Sequence, residues 1–247
     1  MDVKEEAILG SDALEHWYYV SKGRAIRSLL GNFTTDEVLD IGAGAGVFSK
    51  QLIECGICKR AVCVDPSYPG DLDVAHAEGE ISFRRSVESV DQDLVLMMDV
   101  LEHVDDDLSL LRQYSSQLRT GALVVITVPA FEFLWSSHDD FLQHRRRYTV
   151  RSLSKLVRDA GLTVDRARYF FGLLFPLFAT IRLIEGLLAR SRSFGPRSSL
   201  KRHHRWINES LIRLHDLERA TVFRCNVFAG LSVICVARTT RSAADLA

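Results

Sequence analysis

Hydrophobic residues along the chain follow two alternating patterns. Short runs rich in Val, Ile and Leu are continuous enough to predict buried β-strands. They cover Val38–Ile41, Ala61–Val64, Ile81–Phe83, Asp93–Met98 and Ala122–Val128. Between them, apolar residues recur at helical spacing, as in residues 47–55 and 105–118. Strands that alternate with helices predict a parallel sheet built from βαβ units.

The alternation stops after Pro129. Residues 131–148 are polar, aromatic and basic, which is typical of a long functional loop. Residues 170–188 are strongly apolar, with only Arg182 and Glu185 charged. The remaining pattern predicts a helix over 151–160, a strand over 162–170, an amphipathic helix over 206–222 and a last strand over 228–237.

Composition narrows the class of protein. The chain has 247 residues, of which 47% are hydrophobic and 26% charged, as in ordinary globular proteins. This excludes a disordered chain, and a polytopic membrane protein is excluded because no run of about 18 apolar residues lacks a charge. The five Cys residues and the acidic N-terminus without an apolar leader predict a reducing, cytoplasmic location.

Charge is divided unevenly along the chain. Residues 1–140 hold 11 basic and 25 acidic residues, a net charge of −14, and residues 141–247 hold 20 basic and 7 acidic residues, a net charge of +13. Two explanations follow: an anionic partner for the second part, or mutual neutralisation of the two parts.

A glycine-rich turn, Asp40-Ile-Gly42-Ala-Gly44-Ala-Gly46, joins the first strand to the first helix. A dinucleotide site would require a third glycine where Val47 or Ser49 stands. An acid before the glycines repels a pyrophosphate but suits an ammonium or a sulfonium group. Asp65 ends the next strand, where a carboxylate can accept hydrogen bonds from a ribose.

These residues carry a family resemblance. Residues 38–46 resemble motif I of the class I S-adenosylmethionine-dependent methyltransferases, Asp65 matches that family's ribose-binding acid, and residues 93–95 match its fourth-strand motif. Residues 99–104 resemble the ubiquinone-biosynthesis branch. The resemblance covers about residues 30–170. It implies an α/β, Rossmann-like fold with a seven-stranded, mostly parallel sheet and a helical insertion before the last strand.

The resemblance also implies roles in binding S-adenosylmethionine, and S-adenosylhomocysteine as product. Asp40 would lie near the methionine amino group, residues 86–88 near the adenine, and Asp99 beside the methionine tail. Residues 14–24 resemble a lid helix whose Arg24 would meet the methionine carboxylate; packing of Trp17 on the sheet edge is the alternative. The predicted cofactor-binding residues are Arg24, Asp40, Gly42, Gly44, Asp65, Ser86, Val87 and Asp99.

Asp99, Glu102 and His103 would share one face of a helix that begins at about residue 99. They could hold a divalent cation, His103 alone could act as a base, or these side chains could simply pack locally. Related quinone-branch enzymes use Glu at the first position, where this chain has Asp. A divalent metal is therefore not favoured, although it stays open as an alternative, and no residue is assigned as a metal ligand.

The loop after the fifth strand contains further candidates. Its Trp135…His138-Asp139…His144-x-Arg-Arg147-Tyr148 pattern resembles a subgroup of bacterial methyltransferases tied to glycan or lipid modification. The predicted general bases are His103, His138 and His144, and the predicted substrate-binding residues are Trp135, Arg147 and Tyr148. Arg145–Arg147 could clamp an anionic acceptor, or could pair with Asp105–Asp107 or Asp139–Asp140.

The apolar stretch and the cations after it favour a core strand and helix followed by a solvated loop, and peripheral membrane contact through residues 170–205 and a lipid-linked acceptor stay open as alternatives. Nucleic acid is not expected, because the isoelectric point is near neutral. We predict a single domain, 1–247, with lid helices over 1–35, the core over 36–170, a helical cap over 171–222 and a last strand and tail over 223–247. The predicted function is methyl transfer to a small-molecule, glycan or lipid-linked acceptor, anionic in character. The alternatives are a silent cofactor-binding scaffold and a nicotinamide-dependent oxidoreductase.

Overall fold

The computed structural model describes residues 9–188 and 202–240, and its central element is one eight-stranded sheet. The strands are β1 (Glu37–Ile41), β2 (Arg60–Val64), β3 (Leu72–His76), β4 (Gly79–Arg84), β5 (Leu94–Met98), β6 (Leu123–Pro129), β7 (Leu162–Phe170) and β8 (Ser232–Thr239). The α-helices are α1 (Trp17–Leu30), α2 (Val47–Glu54), α3 (Asp107–Ser115), α4 (Ser137–Leu142), α5 (Val150–Asp159), α6 (Phe175–Leu188) and α7 (Arg205–Ala220). Short 3-10 turns cover Gly10–Leu14, Leu101–His103, Glu132–Leu134 and Phe223–Cys225.

The strands lie in the order β3-β4-β2-β1-β5-β6-β8-β7. Only β3 and β8 run against the common direction, so the prediction of a mostly parallel sheet is confirmed. The predicted number of seven strands is too small by one. The additional strand is β3, an edge strand whose residues are mostly exposed, so no run of buried apolar residues marks it in the sequence.

Both faces of the sheet are covered, which explains the continuous hydrophobic runs. Along β1, Val38 belongs to the core beneath α1 and α2, whereas the next residue, Leu39, belongs to the core beneath α3 and α5. Successive side chains of a strand point to opposite faces. A strand buried on both faces therefore needs apolar residues at consecutive positions.

The register of the central strands aligns their carboxyl ends. Ile41 of β1 lies beside Val64 of β2 and Met97 of β5, so the segments that follow these strands emerge at one edge of the sheet. α1 is joined to α7 near this edge, because the backbone N–H of Trp17 donates to Asn208 Oδ1 at 2.7 Å. Open α/β sheets bind ligands at such an edge. No helix within residues 9–188 and 202–240 is long and apolar enough to cross a bilayer.

Candidate active site

The glycine turn after β1 needs glycine for two reasons. Gly42 and Gly44 have φ values of +65° and +52°, in the left-handed region. A Cβ atom on Gly42 would also lie 2.7 Å from Val100 Cγ2. The backbone N–H of Gly44 donates to Asp65 Oδ2 at 3.3 Å, so the turn and the predicted ribose-binding acid are in contact. A ligand can approach the bare backbone here.

Asp40 supplies a buried carboxylate at this turn. Its Oδ2 accepts a hydrogen bond from Ser49 Oγ at 2.8 Å, whereas Oδ1 has no partner within the described part of the chain. Burial raises the pKa of Asp40 from 3.8 to about 6, although the Ser49 hydrogen bond lowers it. A bound cation would offset this cost. The residues of the turn therefore fit the ammonium end of the predicted cofactor.

Asp99 is held by α1. Its Oδ2 accepts from Lys22 Nζ at 2.5 Å and from the Tyr18 hydroxyl at 3.2 Å, and its Oδ1 accepts from Thr127 Oγ1 at 3.0 Å. Burial tends to raise the pKa of Asp99, but the Lys22 ammonium and these hydrogen bonds hold it below its ordinary value. Lys22 is fully buried. Sequence reasoning missed it, and its position four residues after Tyr18 in the predicted lid helix was the only signal.

Arg24 does not reach this end of the site in the structure. Its guanidinium lies 2.5 Å from Asp216 of α7, and its side chain is 47% exposed. The cation that α1 brings to Asp99 is therefore Lys22.

Ser86 and Val87 follow β4 at the same edge of the sheet as the glycine turn. Ser86 is exposed, and Val87 is half-buried against the core. Because β4, β2, β1 and β5 are neighbours, the structure places residues 86–88, Asp65, the glycine turn and Asp99 side by side. The positions predicted to contact adenine, ribose and methionine thus form a continuous row.

The helix expected to begin at about residue 99 is not formed. Asp99 has a φ of +57°, which a right-handed helix cannot accommodate, and only the 3-10 turn Leu101–His103 follows. Asp99 therefore does not share a helical face with Glu102 and His103. The chain reversal sends Asp99 toward α1 and buries Glu102 completely.

A cavity of about 380 Å³ lies next to the Asp99 end of this row. The predicted bases His103, His138 and His144 all line it, together with Asp99, Glu102, Arg147 and Arg182. The rest of its lining is mainly apolar. It comes from α1, α4, α6 and α7, and from the segments before α4 and after β7. These residues are Trp17, Tyr18, Tyr19, Leu134, Leu142, Phe171, Leu174, Leu177, Phe178 and Leu211.

His144 is oriented by a buried carboxylate. Asp139 is fully buried, and its Oδ1 lies 2.9 Å from His144 Nδ1. Arg147 donates to both Asp139 oxygens, from Nε at 2.7 Å and from Nη2 at 2.8 Å. Burial tends to raise the pKa of Asp139, but the hydrogen bonds from His144 and Arg147 hold it far below its ordinary value. Asp139 is therefore ionised and can only accept.

This acceptor selects the tautomer of His144. A neutral His144 that donates from Nδ1 carries its lone pair on Nε2. Burial lowers the pKa of His138 to about 4, so this imidazole accepts a proton less readily than an ordinary histidine. The sequence offered Asp139 as a pairing partner for the arginines, which its contact with Arg147 confirms, but the contact of Asp139 with His144 was missed. The Ser-x-x-Asp spacing of Asp139 from Ser136 indicates only a helix cap, which the structure also forms.

Glu102 lies beside these histidines. Neither of its carboxylate oxygens has a hydrogen-bond partner within residues 9–188 and 202–240. Burial, and then the Asp99 charge, raise its pKa well above the ordinary value. One ligand atom each from Glu102, His103 and His144 lie within 4.8 Å of one another. Two imidazoles and a carboxylate, with Asp139 behind His144, fit a divalent cation. The first ligand considered from the sequence, Asp99, is replaced by His144.

The predicted arginine clamp is engaged elsewhere. Arg145 and Arg146 lie 3.3 and 3.2 Å from Asp105 and Asp107, respectively, and Arg147 is held by Asp139. These pairs join the basic part of the chain to the acidic part, as the mutual-neutralisation explanation requires.

Two of the three predicted substrate-binding residues lie outside the cavity lining. Trp135 donates from Nε1 to Asp140 at 2.9 Å, and the buried Tyr148 donates its hydroxyl to Asp107 at 2.7 Å. Arg147 lines the cavity, but its guanidinium donates its hydrogen bonds to Asp139.

Residues 14–167 match the methyltransferase domain family. The ubiquinone biosynthesis O-methyltransferase of Methylobacterium sp. (strain 4-46) is 36% identical over 97 residues, which are 35% of this chain and 38% of that protein. The chain thus matches little more than a third of that relative's length.

Solved structures with the same fold include two archaeal ones. The complex between the Haloferax volcanii Trm112 methyltransferase activator and a methyltransferase gives a TM-score of 0.56 at 16% identity, covering 93% of this chain and 92% of that one. A SAM-dependent methyltransferase from Archaeoglobus fulgidus gives a TM-score of 0.52 at 19% identity, and the match covers 96% of this chain and 98% of that one. The fold, the row of residues at the sheet edge and the family match agree: the chain belongs to the class I S-adenosylmethionine-dependent methyltransferases, within the methyltransferase domain family.

Proposed function

We propose that the protein transfers the methyl group of S-adenosylmethionine to a hydroxyl group of a small-molecule or lipid-linked acceptor with an apolar body. The observation that carries the proposal is the Asp139–His144 pair, which lies in a mainly apolar cavity that also contains Asp99. The apolar walls favour an apolar acceptor body. The ionised Asp139 leaves His144 Nε2 as a proton acceptor.

The proposed reaction requires little covalent chemistry from the protein. S-adenosylmethionine, when bound, supplies a methyl group activated by the sulfonium charge. The cavity aligns the acceptor and excludes water, and alignment alone can contribute several kcal/mol to a displacement reaction. As the acceptor oxygen forms its bond to the methyl carbon, the bond between that carbon and sulfur breaks, its electron pair stays on sulfur, and S-adenosylhomocysteine leaves. His144 Nε2 takes the hydroxyl proton, and Asp139 stabilises the resulting imidazolium.

The proposal departs from the anionic acceptor expected from the sequence. That expectation rested on the net charge of +13 over residues 141–247 and on the arginines of the loop after the fifth predicted strand. In the structure, Arg145, Arg146 and Arg147 are each paired with a carboxylate. A phosphate or carboxylate that bound Arg147 would displace Asp139, which would leave a buried carboxylate without its partner. The other arginine of the cavity lining, Arg182, is paired with Glu185.

A divalent cation is the alternative use of the same side chains. Glu102, His103 and His144 would hold it, and it would supply a Lewis acid that lowers the pKa of the acceptor hydroxyl. His144 would then be a ligand instead of a base. Activity that persists in the presence of a chelator would show that His144 acts as a base and not as a metal ligand.

Two measurements test the proposal. Calorimetry should detect binding of S-adenosylhomocysteine; binding of NAD in its place would identify the nicotinamide alternative. Radiolabelled methyl transfer into fractionated small-molecule, glycan and lipid extracts should then reveal an acceptor. Cofactor binding without transfer into any fraction would favour the silent scaffold.

His144→Asn tests the base. We expect kcat to fall by about 10²- to 10⁴-fold with little change in S-adenosylhomocysteine affinity. His76→Asn is the matched control, since His76 lies on β3 and pairs with Glu54. Full activity in the His144 variant would refute the base. Loss of activity in EDTA, restored by Mn²⁺, would assign His144 to a cation.

A further inference from the structure

The row of cofactor-binding positions is rich in carboxylates. Asp40 lies near the end of β1, Asp65 directly follows β2, and Asp99 directly follows β5. S-adenosylmethionine carries a carboxylate and an ammonium at its methionine end. These acids attract the ammonium, whereas they repel the carboxylate unless a cation lies among them. The site therefore needs a positively charged side chain for the methionine carboxylate.

Lys22 of α1 is a cation in direct contact with this row. Its Nζ lies 2.5 Å from Asp99 Oδ2 and 2.5 Å from the Tyr18 hydroxyl oxygen. Asp99 and Tyr18 both line the cavity, whereas the Lys22 side chain is fully buried behind them. The ammonium thus lies one hydrogen bond from the cavity surface, at the end of the row where the methionine tail is expected.

The Lys22 ammonium has a donor left for a ligand. An ammonium carries three N–H donors, and Tyr18 and Asp99 accept from two of them. No third acceptor contacts Lys22 Nζ within residues 9–188 and 202–240. Lys22 and Asp99 balance each other's charge, so a carboxylate and its neighbouring ammonium can join the pair without burying a net charge.

The two charged groups of the methionine end have different partners in the site. Asp40 Oδ1 is buried without a hydrogen-bond partner in the described chain, which suits the ammonium. Arg24, the cation that the sequence suggested for the carboxylate, is held by Asp216 at 2.5 Å. Lys22 is therefore the cation of α1 that is placed to meet the carboxylate.

We propose that Lys22, supported by Tyr18, binds the methionine carboxylate of the cofactor and thereby selects S-adenosylmethionine over its decarboxylated form. The third N–H of Lys22 donates to the carboxylate, while Asp40 accepts from the ammonium. This role concerns the cofactor alone, so it can fail while methyl transfer to a hydroxyl stands, and the reverse also holds.

Calorimetry with S-adenosylhomocysteine and two of its analogues tests this assignment. S-adenosylhomocysteine carries both charged groups, S-adenosyl-3-thiopropylamine lacks only the carboxylate, and S-adenosyl-4-thiobutyrate lacks only the ammonium. The parent protein should bind S-adenosylhomocysteine at least about tenfold more tightly than the amine analogue, because the amine analogue offers Lys22 no acceptor.

Lys22→Met should remove this preference. We expect its affinity for S-adenosylhomocysteine and for the butyrate analogue to fall by about tenfold to a hundredfold, for loss of a charge-assisted hydrogen bond. The amine analogue should bind at least as tightly as it does to the parent, since the variant leaves Asp99 without its cation. An equal loss for all three ligands would assign Lys22 a structural role only and would overturn the proposal.

Two other substitutions of charged side chains serve as comparisons. Lys155→Met makes the same change at an exposed position on α5 and should leave all three affinities within about twofold. Arg24→Met tests the rival cation of α1. Loss of the carboxylate preference in Arg24→Met, with the preference kept in Lys22→Met, would assign the carboxylate to Arg24 and refute the role of Lys22.

Tyr18→Phe keeps the test decisive if Lys22→Met fails to fold. The phenyl ring can still stack on Phe171, but the oxygen that helps to hold Lys22 Nζ in place is lost. We expect binding of the two carboxylate-bearing ligands to weaken by at least about threefold, and binding of the amine analogue to stay unchanged. A Tyr18→Phe variant that binds all three ligands as the parent does would overturn the proposal.

Discussion

Replacing Asp40 by Asn should stabilise the cofactor-free protein and weaken cofactor binding. Asp40 is 1% exposed, its pKa is raised to about 6 by burial, and only one of its oxygens has a hydrogen-bond partner in the described chain. An uncharged Asn carries no penalty for burying a charge and still offers an oxygen to Ser49 Oγ. The buried carboxylate therefore lowers the stability of the cofactor-free protein, and we expect a bound cationic ligand to offset this cost.

The magnitude follows from the two pKa values. In the unfolded chain Asp40 loses its proton at about its ordinary pKa of 3.8, whereas in the folded protein it keeps the proton up to about pH 6. The free energy of unfolding therefore falls as the pH rises from about 4 to about 6. The raised pKa of Asp40 lowers the free energy of unfolding by about 3 kcal/mol at pH 7.5, about 1.5 kcal/mol at pH 5 and about 0.5 kcal/mol at pH 4. Removing this carboxylate should raise Tm by roughly 5–10 °C near neutral pH.

Urea unfolding of both proteins between pH 4 and pH 8 checks the reasoning. The advantage of Asp40→Asn should grow with pH, while Asp36→Asn, at an exposed position just before β1, should change stability little. Calorimetry should show S-adenosylhomocysteine binding weakened by about tenfold to a hundredfold in Asp40→Asn, for loss of one charge-assisted hydrogen bond. A variant that is no more stable than the parent, or a difference that does not change with pH, would refute a desolvated Asp40.

Three further substitutions test other parts of the structure. Lys22→Met leaves the Asp99 carboxylate without its ammonium, and equilibrium unfolding should show a loss of about 3–5 kcal/mol; a loss below about 1 kcal/mol would contradict the buried pair. Gly42→Ala should destabilise the protein more than Gly56→Ala, and should alone weaken cofactor binding. Both glycines have positive φ, but only a Cβ on Gly42 meets a neighbour, Val100, so equal effects would contradict the contact. Glu218→Ala removes the acceptor of the Gly172 N–H and the partner of buried His215, and should cost about 2–4 kcal/mol; its control Glu209→Ala breaks an exposed pair with Arg205 and should cost less than about 0.5 kcal/mol, and similar losses in the two variants would remove the assigned role of Glu218.

The uneven charge along the chain has an intramolecular explanation in the described residues. Arg145 and Arg146 reach Asp105 and Asp107, and Arg202 lies 3.2 Å from Asp12. These contacts join the basic and acidic parts and lower the repulsion within each.

The sequence alone determined the sheet and the row of residues at its edge. A strand, a glycine turn and a helix are encoded by neighbouring residues, so the Asp40–Gly46 turn and Asp65 could be placed from their local pattern. The parallel direction of most strands followed because strands joined through helices run in the same direction, whereas their order in the sheet came from the structure. The edge strand β3 was not predicted from the sequence, because an exposed strand does not need a run of apolar residues.

Only the tertiary structure decided which side chains meet in the site. Lys22 and Arg24 are two residues apart on α1, so they point about 200° from each other, and packing of the helix selected Lys22 for Asp99. The same holds for His144, which a buried Asp139 orients while Arg147 balances the charge. Such choices depend on side-chain directions set by packing between distant segments, and no local sequence pattern encodes them.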